Sequence, residues 1–224
     1  MTTTRLWRLA GALALAHIVL VLGGVSVEQT PVLGDAAADT AAALVGSPLS
    51  TEFSGGYVEY LGFLVFLVGA LLLARLLRGS SETSGWLAAC ISGTAVTYTA
   101  VTVATGFAAG AAALYDGHHG APLATITTVN DVRNFAFFLS IGVLGVFTMA
   151  VAGAVHATRV LPTWLAYTGY VVGLVCIAAV PTARLGGIDS ANLLWLVWFL
   201  ALGIGALRGP RTAPAAVSAV PVGA

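Results

Sequence analysis

The chain has 224 residues, 58% of them hydrophobic and 8% charged, with nine basic and nine acidic side chains and a formal net charge of zero. Soluble domains carry about 25% charged residues, so this chain has roughly a third of the ionic surface that water demands. That excludes a soluble globular enzyme, a disordered chain, and a nucleic-acid binder, which needs a basic excess. A multi-span helical membrane protein remains, with the lipid bilayer as its first partner and no nucleic acid.

A helix needs roughly 20 apolar residues to cross the hydrocarbon core. Six stretches qualify, at about 7–25, 57–74, 86–112, 135–155, 161–180 and 191–207. Lipid cannot satisfy backbone N–H and C=O groups, so each stretch is helical. The fold class is all-α, a six-helix transmembrane bundle formed by one domain over residues 1–207. Residues 208–224 are rich in Pro, Ala and Val and are expected to form a disordered cytoplasmic tail.

The first span follows Arg5 and Arg8, a pattern that a signal peptide shares. The nearest cleavage-like triplet, Gly24-Val25-Ser26, is not a clean Ala-x-Ala site, so the span reads as an uncleaved anchor. The first outer loop, from Ser26 to Gly56, is the longest connection. Its Ala-rich part, residues 35–45, is bracketed by Pro31 and Pro48 and is expected to be helical.

All nine basic residues are Arg, and they sort by segment. Arg5, Arg8, Arg75, Arg78, Arg159, Arg208 and Arg211 fall on one side with Glu82; Arg133 and Arg184 fall on the other with the remaining eight acids. The positive-inside rule then places both termini in the cytoplasm. The absence of Lys and the heavy use of Ala, Val, Leu and Gly point to a GC-rich bacterial genome by a codon argument, so a bacterial cytoplasmic membrane is expected.

Ionisable side chains near membrane depth are functional candidates by default. Glu59, Asp131, Arg133, Asn134 and Asp189 form a candidate polar cluster at the outer rim. Each also has a plainer reading. Glu59, beside Tyr57 and Tyr60, suits the positive end of a helix dipole, and Asn130 or Asp131 can cap the fourth span. Arg133 breaks the positive-inside pattern, so it either clamps an acid or contacts an anion, which its planar fork suits. A second candidate is a polar face inside the bundle: Thr94, Tyr98, Thr102 and Thr105 at helical spacing, with His17 midway along the first span. Thr hydroxyls commonly bond their own helix backbone instead.

Small-residue pairs, Gly106 with Gly110 and Gly169 with Gly173, are expected to pack the third and fifth spans inside the bundle. His118 and His119 supply two ligands at most, which do not make a metal site. Cys90 and Cys176 lie at depths that differ by roughly 15 Å at 1.5 Å per residue, so free thiols are expected. No catalytic residue, metal or cofactor is assigned.

The Arg-flanked first span (Arg5, Arg8), the long helical loop after it, and the Asn130-Asp131-x-Arg133-Asn134 start of the fourth span carry a resemblance. With these features the chain resembles a group of uncharacterised six-span bacterial membrane proteins, of actinobacterial type, that share a domain of unknown function. The resemblance implies the fold and no activity. The expected function is that of a non-enzymatic accessory or sensor protein that binds lipid, a membrane protein partner or a second copy of itself. The alternatives are a small transporter, or a membrane enzyme acting on lipids at the outer leaflet through Glu59, Asp131 and Arg133. No span carries Pro midway or an acid at mid-depth, where coupling-ion sites usually lie, which weighs against transport.

Overall fold

A computed structural model describes residues 2–27, 37–46, 48–185 and 187–210. The helices are α1 (Thr3–Val25), α2 (Ala37–Val45), α3 (Leu49–Leu77), α4 (Glu82–Ala100), α5 (Ala108–His118), α6 (Leu123–Thr158), α7 (Thr163–Ala179) and α8 (Gly187–Arg208). A π-helical segment, Val101–Phe107, joins α4 to α5, and a 3-10 segment, Val180–Leu185, follows α7. Among the described residues, six helices are long and apolar enough to cross a membrane: α1, α3, the continuous α4–π–α5 rod, α6, α7 with its 3-10 end, and α8. The chain is thus an all-helical, multi-pass membrane protein. The helix expected in the first long loop is α2.

Local chemistry sets where the helices start. Pro48, Pro122 and Pro162 precede α3, α6 and α7 with φ of −58°, −58° and −55°. Each carbonyl accepts from the first turn of its helix, as in Thr125 N–H to Pro122 O at 2.9 Å. Proline's fixed φ prepares the helical turn there. At α4, Ser81 does the same work as an N-cap, its hydroxyl accepting from the Ser84 N–H at 3.2 Å.

The spans run up and down and close into a ring, each beside its sequence neighbours, with α1 packed against both α3 and α8. The short α3–α4 and α6–α7 links lie at the end that carries the start of α1 and the end of α8, called here the terminal end. The opposite, loop end carries α2, which packs on α5 and α6. There Leu44 of α2 joins Ala113, Leu114 and Ile126 in a small apolar cluster separate from the main core.

Aromatic side chains fill the middle of the ring. Phe63 and Phe66 of α3 meet Tyr98 of α4 at ring-centroid distances of 5.5 and 5.1 Å. Phe66 also meets Phe147 of α6 at 5.3 Å and Phe199 of α8 at 5.7 Å, and Phe199 stacks on Trp195 at 4.7 Å. The indole of Trp195 donates to Thr148 Oγ1 at 3.0 Å, and that of Trp198 donates to the Leu165 carbonyl at 3.1 Å. A cavity of about 10 Å³ among Ala10, Ala14, Phe66, Phe199 and Leu202 holds no more than one water.

Glycines permit the closest helix contacts. A Cβ on Gly173 would lie 2.8 Å from the Gly145 carbonyl oxygen, and one on Gly11 would lie 2.6 Å from that of Gly203. The fifth span is packed through Gly169 and Gly173, as their spacing implies. The third span differs from expectation: it is the least covered of the six, at 28% buried against 56% for the fourth. Gly106 and Gly110 do face α6, but Gly93, Ala100, Ala104 and Ala108 point outward. Small residues alone therefore did not make it an interior helix.

Three helices run past their apolar stretches at the loop end. The second starts at Leu49, the third reaches His118 and the fourth starts at Leu123. Hydropathy marks the lipid-embedded part, whereas Pro48 and Pro122 mark the helix starts. Two sequence readings fall with this. Glu59 lies well inside α3, beyond the reach of a first-turn dipole, which belongs to Glu52. Asn130 and Asp131 lie two turns inside α6 and cap nothing.

Candidate functional site

The polar residues of the loop end sit mainly on α6. Asn130, Arg133 and Asn134, at spacings of three and four, share one helical face. Asn134 Nδ2–H donates to the Asn130 carbonyl at 3.2 Å, and Arg133 Nη2–H reaches Asn134 Oδ1 at 3.4 Å. The aliphatic stem of Arg133 lies across Gly110 of α5; a Cβ on that glycine would sit 3.0 Å from Arg133 Cδ. This is the close approach that Gly110 allows.

Asn130 is 1% exposed. It lies one turn deeper than Ile126 and one turn short of Arg133 and Asn134, between the apolar cluster under α2 and the Arg133–Gly110 contact. Its Oδ1 is buried with no hydrogen-bond partner among the described residues. The same holds for the hydroxyls of Thr99 and Thr102. Neighbouring Thr127 and Thr128 are satisfied in the usual way, donating to the Leu123 and Ala124 carbonyls at 2.9 and 2.8 Å.

Asp131 is two positions from Arg133, about 200° around the helix, so the two side chains leave α6 on opposite sides. Asp189 is exposed at the start of α8. Glu59 is half-buried on α3, its Cβ against Gly24 of α1 and its charge within range of the Tyr98 hydroxyl. Arg184, the other basic residue expected at this end, lies at a position whose side chain is outside the described set.

The interior polar face splits up. Thr94 donates to the Cys90 carbonyl at 2.7 Å. Tyr98 is buried among Phe63 and Phe66, Thr102 is half-buried, and Thr105 is exposed. The π-helical segment accounts for the break: its wider turns rotate less per residue, so the step from Thr102 to Thr105 falls short of the face. His17 belongs to the aromatic core. Its Nδ1 lies 2.9 Å from the Gly62 carbonyl, and because a carbonyl can only accept, Nδ1 carries the proton. Four rings surround it: Phe63, Phe66, Trp195 and Phe199.

His118 and His119 close α5. Their Nδ1 atoms bond the Leu114 and Tyr115 carbonyls of their own helix at 3.0 and 2.7 Å. Among the described residues no group of three His, Cys, Asp or Glu is placed to hold a metal. Cys90 and Cys176 are free thiols, Cys176 buried. An open groove of about 350 Å³ also lies at the loop end, lined by Val27, Ser50, Thr51, Ser54, Gly55 and Val58.

Sequence reading had Asn130 or Asp131 as a cap and so missed the burial of Asn130. The signal was present: with the helix start moved to Pro122, Asn130, Arg133 and Asn134 fall on one face. No family model, curated protein or solved structure matches the chain.

Proposed function

We propose that this is a non-enzymatic protein of the bacterial cytoplasmic membrane that binds a lipid or a membrane protein partner at its loop end, and that this end faces outward. The distribution of Arg supports the orientation, since Arg5, Arg8, Arg75, Arg78, Arg159 and Arg208 all lie at the terminal end.

The observation that carries the reading is helix length. The third and fourth spans have 37 and 36 residues, about 54 Å each at 1.5 Å per residue. The hydrocarbon core is about 30 Å thick. Even a tilt of about 40°, the steep end of the usual range, leaves about 41 Å along the membrane normal. The links at the terminal end are short, so the excess lies at the loop end, where α2 packs on the projecting hairpin. A helical hairpin that extends beyond the hydrocarbon core and is covered by a further helix is a recognition element.

The alternatives lack such support. A transport route needs a passage, and the middle of the ring is occupied by His17 and its aromatic neighbours. An enzyme built on Glu59, Asp131 and Arg133 needs these groups to converge, and Asp131 and Arg133 diverge. The test is native mass spectrometry of protein gently extracted from its own membranes. A retained protein or a specific lipid is expected, with retention falling in Leu44→Asp, which unseats α2. A bare chain with bulk lipid, or retention indifferent to Leu44→Asp, contradicts the proposal.

A further inference from the structure

We propose that Asn130 is the recognition group of a lipid headgroup site, enclosed between α5 and α6 beneath α2, for an anionic phospholipid whose headgroup carries hydroxyls. The inference rests on the reading of the loop end as the binding end and names the ligand.

The Oδ1 of Asn130 is a buried acceptor with no hydrogen-bond partner among the described residues. A buried polar group without a partner is destabilising, and each one in a folded protein calls for an explanation. Asn130 has no local alternative in use: its own helix satisfies Thr127 and Thr128 but not its Oδ1. A carboxamide both donates and accepts, and so does a hydroxyl, so the two match. One turn further along the same face stands the guanidinium of Arg133, held across Gly110 and tied to Asn134. The planar fork of Arg matches two oxygens of a phosphate. Together they present a hydroxyl site and a phosphate site about one helical turn apart.

Depth selects the source. From Asn130 to the end of α6 at Thr158 is about 42 Å at 1.5 Å per residue, and the bilayer with its headgroups is about 40–45 Å thick. Asn130 therefore lies at the headgroup layer of the leaflet on the loop side. The cover is slight: Leu44 of α2 meets Ala113, Leu114 and Ile126, and Ile126 lies one turn nearer the loop end of α6 than Asn130.

The test separates this role from a structural one by the sign of a stability change. Removing an unsatisfied buried amide in favour of a similar apolar shape is neutral or stabilising, whereas removing a structural one is not. The full chain in detergent is titrated with phosphatidylglycerol, with phosphatidylcholine, which is zwitterionic and lacks headgroup hydroxyls, and with glycerol 3-phosphate. Phosphatidylglycerol is expected to raise the Tm of the wild type, and the other two are expected not to. Asn130→Leu is expected to start at or above the wild-type Tm, by up to about 4 °C, and to lose the rise with phosphatidylglycerol. A lower starting Tm for Asn130→Leu, or a full rise retained in it, overturns the proposal. A full rise with glycerol 3-phosphate alone overturns the lipid source. Native mass spectrometry of the wild type from nanodiscs of mixed phosphatidylglycerol and phosphatidylcholine needs no variant: preferential retention of the first supports the site, and equal retention overturns it. A protein partner retained from native membranes while these lipid measurements fail removes the headgroup site and leaves the binding role of the loop end standing.

Discussion

The residue with the clearest structural task is His17. Polar side chains inside a membrane bundle are ordinarily worth about 1 kcal/mol through their hydrogen bonds, so the bond to Gly62 is the smaller part of its contribution. The larger part is the space it fills among Phe63, Phe66, Trp195 and Phe199. His17→Ala should therefore destabilise the bundle by about 2–4 kcal/mol, the range for a large core truncation. His17→Phe, which keeps a ring there, should cost under about 1.5 kcal/mol. Thermal unfolding in detergent checks both; an unaffected His17→Ala would show that the aromatic centre does not depend on it. The sequence placed His17 at mid-span but could not show what it faces, because four of its neighbours come from two distant helices.

At the scale of elements, the ring is held where backbones approach through glycine. The Gly169–Gly173 pair was legible from its spacing; its partner Gly145 was not, because a lone glycine carries no spacing. Gly173→Ala should destabilise, since the new Cβ would meet the Gly145 carbonyl oxygen at 2.8 Å and Met149 Cγ at 2.5 Å. Gly93→Ala should be neutral or stabilising by up to about 1 kcal/mol, the helix-propensity gain, because a Cβ there meets nothing within 4 Å. Equal effects in the same unfolding assay would contradict the assigned packing. Span centres were legible because lipid exposure writes them as apolar runs. The loop-side helix ends were not, because residues 123–134 are amphiphilic and the run breaks before the helix does. The same gap hid the candidate site: Asn130 looked like a cap only while the helix was thought to begin after it. The π-helical segment left no mark in composition, and it undid the Thr stripe by shifting Thr105 to the surface.

For the whole molecule, six spans of unequal length close one ring. The shorter ones match the membrane, with α1 at 23 residues giving about 35 Å, and the third and fourth overrun it. The centre is filled, so what distinguishes the two faces is the projecting hairpin under α2, with its buried amide and its Arg. Binding at an outward-facing, projecting loop end is the central claim, and its geometry can be measured directly. Single cysteines are placed at Thr125, exposed on the projecting start of α6, and at Ala100, exposed midway along the third span at the end of α4. The native thiols remain, since Cys176 is buried and Cys90 half-buried within the bundle. Intact cells are then treated with a membrane-impermeant maleimide. Thr125→Cys should label and Ala100→Cys should not; a Thr125→Cys protein that stays unlabelled until the cells are opened would contradict the account.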